Sequence, residues 1–224
     1  MRLAALETSS EWCSVALALD GELSGVERRA PNRHAELALP MLEELLKRNG
    51  FRMSGLQGVA FGMGPGSFTG LRIACGLAQG IALAAGIPVL GITSFEAVAE
   101  EAAPEPGARV AVCIDARMNE VYYAALERRG GAWREVVAAQ CVAPREVAAP
   151  AGEGWIGAGN GFAAYPDLLD NLRVRRPEVH PSALAVARLA APRFAAGEGV
   201  DAAQAAPVYL RDKVAYTKAE LEER

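Results

Sequence analysis

The sequence predicts an α/β fold of two tandem lobes, each a mixed sheet flanked by helices, and three observations support this. An order of three strands, a helix, a strand and a helix can be read twice along the chain. Each copy opens on an apolar strand that ends in a carboxylate, Leu6-Glu7 in the first and Ile114-Asp115 in the second. A hairpin signal follows at a similar gap in each, Asp20-Gly21 and Gly130-Gly131. The divide falls between residues 104 and 105, giving an N-terminal lobe over 1–104 and a smaller C-terminal lobe with a tail over 105–224.

In the first lobe, apolar and alternating runs predict strands at Leu3 to Glu7, Cys13 to Leu19 and onward from the Asp20-Gly21 turn to Arg28. A helix follows from Arg33 to Asn49, with Ala38, Leu42, Leu45 and Leu46 as one apolar stripe and Gly50 placed to stop it. A strand at Gly58 to Phe61 leads into a long helix from Ser67 to Ala85, ended by Gly86. The second lobe repeats the order with strands at Val110 to Ile114, Val121 to Leu126 and Trp133 to Ala139. A short helix near Pro144, a strand at Trp155 to Ile156 and a helix from Ser182 complete it. The stretch from Phe162 to Val179 carries the weakest pattern.

Composition narrows the function. Of 224 residues, 51% are apolar and 22% charged, which supports a packed core and excludes general disorder. Twenty-three Lys and Arg against 27 Asp and Glu leave a formal charge of −4, so no broad basic face for gripping nucleic acid is expected, and any RNA would be held mostly by a partner. Cys13, Cys75, Cys113 and Cys141 are too widely spaced for a C-x-x-C motif and too few for a disulfide scaffold, which predicts a reduced, cytoplasmic setting. The start, Met1 to Leu6, lacks the sections of a signal peptide. From Ile73 to Leu90 the chain approaches the length of a membrane span, with Gln79 its only strongly polar side chain. It is mostly Ala and Gly, flanked by Arg72 and broken by Pro88, and burial in protein suits such a helix as well as lipid does.

The most specific local signal is Gly62-Met63-Gly64-Pro65-Gly66-Ser67-Phe68-Thr69-Gly70, joining a strand to a helix. Two roles stay open for it. Free N–H groups at a helix N-terminus suit phosphate or carboxylate, and the glycines equally suit a tight turn with close helix–strand contact. No Gly-Lys-Ser/Thr follows, so it is not a Walker A loop. In the helix behind it Gly70, Ala74 and Ala78 recur every fourth residue, as do Gly76 and Gly80. In the preceding helix Leu37 and Met41 stand off the main stripe. Both helices are therefore expected to cover the sheet on one side and a second protein on the other, through Leu37, Met41, Gly70, Leu71, Ala74, Cys75 and Ala78, over at least about 1,200 Å². The alternative is one wide stripe facing the core.

A duplicated unit of this order is the plan of the ribonuclease-H-like fold shared by actin, sugar kinases and Hsp70 ATPase domains. Several separated motifs narrow it further: Leu6-Glu7-Thr8-Ser9, Gly64 to Gly70 with Leu71-Arg72-Ile73, Ile114-Asp115-Ala116-Arg117, Glu120-Val121-Tyr122-Tyr123 and Pro207-Val208-Tyr209-Leu210-Arg211. Taken together and in this order, they resemble the TsaB (YeaZ) family.

The resemblance implies a non-catalytic, cytoplasmic partner of the paralogue TsaD in making threonylcarbamoyladenosine beside the tRNA anticodon, with TsaE as an ATPase that joins them. Isolated chains are expected to form a homodimer through the same helices, and tRNA is expected to be met only indirectly. TsaD binds its metal through a His-x-x-x-His pair; aligning Pro88 to Ile92 with the corresponding strand puts Ser94 and Val98 at those positions, and neither replaces imidazole. His34, expected in the first helical turn, and His180, ahead of Pro181-Ser182, have no second ligand at metal spacing, so no metal site and no glycoprotease activity is expected. Glu7 and Asp115 end equivalent strands, where actin-like ATPases place carboxylates that hold metal-bound water. With Thr8, Ser9, Gly64, Gly66 and Ser67 they are the candidate anion or nucleotide loops.

No cofactor is expected in the isolated subunit, and for ATP or ADP in the assembled complex three places stay open: this subunit, its boundary with TsaD, or neither. Asp115, Arg117, Glu120, Tyr122 and Tyr123 suit either a role in that complex or a hairpin ion pair between Arg117 and Glu120. Near the end Arg211, Lys213, Lys218 and Arg224 are offset by Asp212, Glu220, Glu222 and Glu223, which reads as a solvated tail. The rival readings are an acid or sugar kinase using the interlobe cleft and a metallopeptidase.

Overall fold

The structure, a computed structural model, describes residues 1–211. The charges of the tail beyond Arg211, from Asp212 to Arg224, lie outside the described residues. The first sheet contains β1 (Arg2–Glu7), β2 (Trp12–Leu19), β3 (Glu22–Arg29), β4 (Gly58–Gly64) and β5 (Val89–Thr93) in the order β3-β2-β1-β4-β5. The second contains β6 (Arg109–Arg117), β7 (Glu120–Arg129), β8 (Ala132–Val142), β9 (Trp155–Ala158) and β10 (Val174–Arg176) in the order β10-β9-β6-β7-β8. Read from the other edge, the second order is the first with five added to every strand number. Both sheets pair their first three strands antiparallel and add the last two parallel. The duplication legible in the sequence is thus a duplication of topology, and the plan is ribonuclease-H-like twice over. Positive φ at Asp20, Gly21, Gly130 and Gly131 makes the two equivalent hairpin turns.

The helices are α1 (His34–Arg48), α2 (Phe68–Ala85), α3 (Ser94–Ala102), the single-turn α4 (Gly161–Ala164) and α5 (Ala183–Ala195). Strand alternation sorts side chains between layers. Leu3 and Ala5 of β1 enter a middle core that also takes in Val110, Val112, Ala124 and Leu126 of the second sheet. Ala4 and Leu6 face the other way, against α1 and α2.

α3 and α5 fill the middle layer and cross between halves: α5 packs on β1 and β2 of the first sheet, and α3 reaches β6, β7 and β9 of the second. Alanine permits this close approach, since Ala183, Ala185, Ala187 and Ala190 of α5 are all fully buried. Glu100 of α3 is buried there too, ion-paired with Arg128 and accepting from Trp133 Nε1 at 3.0 Å. Among the described residues no long helix covers the outer face of the second sheet: the helix expected near Pro144 is a 3-10 turn over Pro144–Glu146, and Tyr123, Trp155, Phe162 and Leu168 form the small core beneath.

One expectation is corrected by burial. Met41, Ala74, Cys75 and Ala78, read as a partner surface, are at most 5% exposed and pack between the first sheet and its helices. Leu37 is half-buried against the same core, and Gly70 and Leu71 are buried at the start of α2. The every-fourth-residue pattern was right, but the face bearing Gly70, Ala74 and Ala78 turns inward. By length and composition α2 could also cross a bilayer; here one face of it is packed on the first sheet.

Ala78→Asp would place an unpaired carboxylate in this core and is expected to cost more than about 3 kcal/mol. Leu83→Asp, at an 80% exposed position of the same helix, is expected to cost less than about 1 kcal/mol. Urea denaturation of the two variants beside the parent measures both.

Candidate functional site

The end of β1 and the start of α2 interlock through backbone. Ser67 N–H donates to the Ser9 carbonyl at 2.7 Å, and Thr8 Oγ1 donates to the Gly70 carbonyl at 2.7 Å. Ser67 caps the helix, its Oγ accepting from Gly70 N–H at 3.3 Å. A Cβ on Gly70 would sit 1.9 Å from the Thr8 carbonyl oxygen, and one on Gly66 would sit 2.6 Å from that of Ser9. On the other side, Val208 N–H donates to the Met63 carbonyl at 2.7 Å, and a Cβ on Gly64 would meet the Val208 carbonyl oxygen at 2.7 Å. Of the two roles left open for this loop, the glycines fulfil the close-contact one, and what approaches them is this chain itself.

Thr8, Ser9, Gly66 and Ser67 are therefore one contact, Glu7 lies beneath it against Gly62, and Gly64 is closed by Val208. Asp115 is engaged at the β6–β7 turn instead: its Oδ1 accepts from Arg117 N–H at 2.8 Å, and its Oδ2 pairs with the Arg117 guanidinium at 3.1 Å. Glu120 pairs with Arg211 of the C-terminal segment, which also donates to the Arg117 carbonyl. The segment Pro207 to Arg211 is thus a strap that runs from α2 to the second sheet's first hairpin.

Glu7 is fully buried. One oxygen accepts from Ser9 N–H, Oε2 has no partner among the described residues, and a Cβ on Gly62 would sit 1.7 Å from it. Burial, only partly opposed by the hydrogen bonds of Ser9 and the charge of His180, pushes its carboxyl up to about 7. Ser94 Oγ lies 3.3 Å from Ser9 Oγ, and Ser94 and Val98 are both fully buried. His34 opens α1 and is buried, while His180 stacks on Trp12 at 4.7 Å beside Glu27. Among the described residues no three His, Cys, Asp or Glu side chains come together as a metal site.

The feature turned outward is the other face of α2. Phe68, Thr69, Arg72, Gly76, Gly80 and Leu83 are exposed at helical spacing, and a Cβ on Gly76 or Gly80 would meet nothing within 4 Å. The sequence had shown the Gly76–Gly80 repeat, but periodicity alone assigned no face to it.

Fold and site together define a two-lobed ribonuclease-H-like protein whose glycine loop is filled by its own chain and whose longest helix is smooth on the outside. Residues 26–218 match the family model of TsaD, tRNA N6-adenosine threonylcarbamoyltransferase. The chain is 39% identical to the tRNA threonylcarbamoyladenosine biosynthesis protein TsaB of Escherichia coli, over 97% of this chain and 98% of that one. It is 34% identical to TsaB of Haemophilus influenzae, over 97% of both. Among solved structures, YeaZ from Pseudomonas aeruginosa superposes with a TM-score of 0.88 at 40% identity, covering 93% of this chain and 99% of that one. The chain belongs to the TsaB (YeaZ) family.

The folded chain keeps a proton on Glu7 between its ordinary value of 4.5 and about 7, whereas the unfolded chain releases it. The stability this adds is full below pH 4.5 and is lost as pH rises through about 7, up to about 3 kcal/mol in all. Glu7→Gln is expected to flatten that decline and to be more stable than the parent at alkaline pH, as urea titrations at stepped pH would show.

Proposed function

We propose that this chain is a non-catalytic, cytoplasmic scaffold subunit for threonylcarbamoyladenosine formation on tRNA, binding and activating TsaD through the outer face of α2 and working with TsaE. The observation that carries this is the exposed stripe from Thr69 to Leu83, with two glycines whose missing side chains serve no contact among the described residues. Such positions suit a second helix brought to close backbone distance.

The kinase reading would need an open phosphate loop, and Thr8 and Ser9 occupy that of this chain. The peptidase reading would need three metal ligands in one place. ATP or ADP accordingly belongs to the assembled complex, and tRNA, in view of the net charge of −4, is held mainly by the partners. Two copies of the stripe can also meet about a two-fold axis, so a homodimer would compete with TsaD.

The test is tRNA modification by purified TsaD, TsaE and this chain, with and without the chain, beside the mass of the TsaD complex. Loss of product on omission supports the scaffold; unchanged product refutes it. Leu83→Glu and Gly80→Arg are expected to abolish complex formation, homodimerisation and product together while the melting temperature stays within a few degrees of the parent's. Sedimentation and the same assay check both.

A further inference from the structure

At the loop end of the α2 stripe sits a cluster that packing alone does not explain. The Arg72 guanidinium lies 3.6 Å above the centroid of Phe68, and its Nε donates to Tyr209 Oη at 3.1 Å. The two rings are 5.3 Å apart, tilted by 41°. Phe68 and Tyr209 are 38% and 43% exposed, and they are the aromatic residues among the large hydrophobic side chains that the described chain leaves open to solvent. Arg72 forms no ion pair among the described residues, and its two terminal nitrogens donate to none of them.

Local structure gives no reason for a cation here. The N-terminal end of a helix carries partial positive charge, and the first turn of α2 holds no acid to offset it. The aromatic pair nonetheless fixes the guanidinium, and Tyr209 is fixed in turn by the strap through Val208 N–H. An arginine so held has lost its rotamer freedom already, and it presents a fork of N–H donors that matches the two oxygens of a carboxylate.

We propose that Arg72, clamped between Phe68 and Tyr209, is the receptor for an Asp or Glu carboxylate on the protein partner that covers α2. This rests on the scaffold reading above and names the contact that would give it specificity. Arg72 continues the stripe of Gly76 and Gly80, so a chain seated on the glycines passes within reach of it. Thr69, Gly76, Gly80 and Leu83 carry no charge, whereas a nucleic acid strand along this face would call for several cations. Exposed Tyr and Arg beside a flat apolar face is also the composition of interface hot spots.

The test titrates full-length variants against purified TsaD at low and high salt. Arg72→Ala is expected to weaken the complex by at least about 30-fold and to remove most of its salt dependence. Arg72→Lys should not restore it, because an ammonium lacks the fork, and Tyr209→Phe should give a smaller loss by freeing the guanidinium. Leu83→Glu reports on the surface itself. If Leu83→Glu abolishes binding while both Arg72 variants bind like the parent, the receptor is overturned and the scaffold reading stands. If Leu83→Glu binds normally, the surface is wrong and the receptor falls with it. If Arg72→Ala keeps its affinity for TsaD but the complex loses tRNA in a gel-shift assay, the ligand is nucleic acid and the proposal is likewise overturned.

Discussion

The backbone of Thr8 and Ser9 lying directly against Gly66 and Gly70 is the constraint on which the rest of this molecule depends. At 1.9 Å from a hypothetical Cβ to the Thr8 carbonyl oxygen, no other residue fits at position 70 without moving β1 or α2. The contact does more than close a gap, because it fixes the rotation of α2 about its own axis. With Gly70 and Leu71 turned inward, the helical period sends Ala74, Cys75, Ala78 and Ala82 into the core. The same period sends Arg72, Gly76, Gly80 and Leu83 outward. What a partner could meet is decided at a loop several turns away.

That contact also bears on chemistry. In a ribonuclease-H-like fold with nucleotide between the lobes, the ends of the first strands and the loops beside them face the ligand. Here Ser9 occupies the glycine loop from one side and Val208 closes it from the other. Glu7, at the strand end where a catalytic carboxylate would stand, is sealed from water beneath them. Burial at this position pushes its carboxyl up to about 7. Seen this way, the alanine-rich α5 has the same effect as the loop: by packing on the first sheet it draws the two lobes onto a common middle layer.

Much of this was legible in the residues. The duplicated strand order, both hairpin turns, the Ser67 cap and the Gly86 stop follow from local chemistry that tertiary structure does not override. α3 was missed: Thr93 and Glu96 form a capping box at its start, but its run of small residues has no strong period of its own. The face of α2 was not legible. Both of its sides are small and apolar, so a pattern that normally separates inside from outside separates nothing, and the four-residue repeat of Gly70, Ala74 and Ala78 matches that of Gly76 and Gly80. Only the contact with Thr8, distant in sequence, breaks the tie. The Arg72 cluster was hidden for a related reason, because Phe68 and Tyr209 are brought together by the strap.

The ambiguity is itself informative. A helix that needed only a core on one side and water on the other would place charge on its outer face, as α1 does with Glu36, Glu43, Glu44, Lys47 and Arg48. Over Phe68 to Ala85 the one charged residue is Arg72, and it is laid flat on an aromatic ring. Composition of this kind passes the length-and-hydropathy test for a membrane span, yet lipid would not ask for glycines at Gly76 and Gly80 when the same helix is fastened along its other face to a sheet. On the proposed scaffold role, two protein surfaces, one internal and one external, account for the apolar inside, the smooth outside and the single oriented cation together.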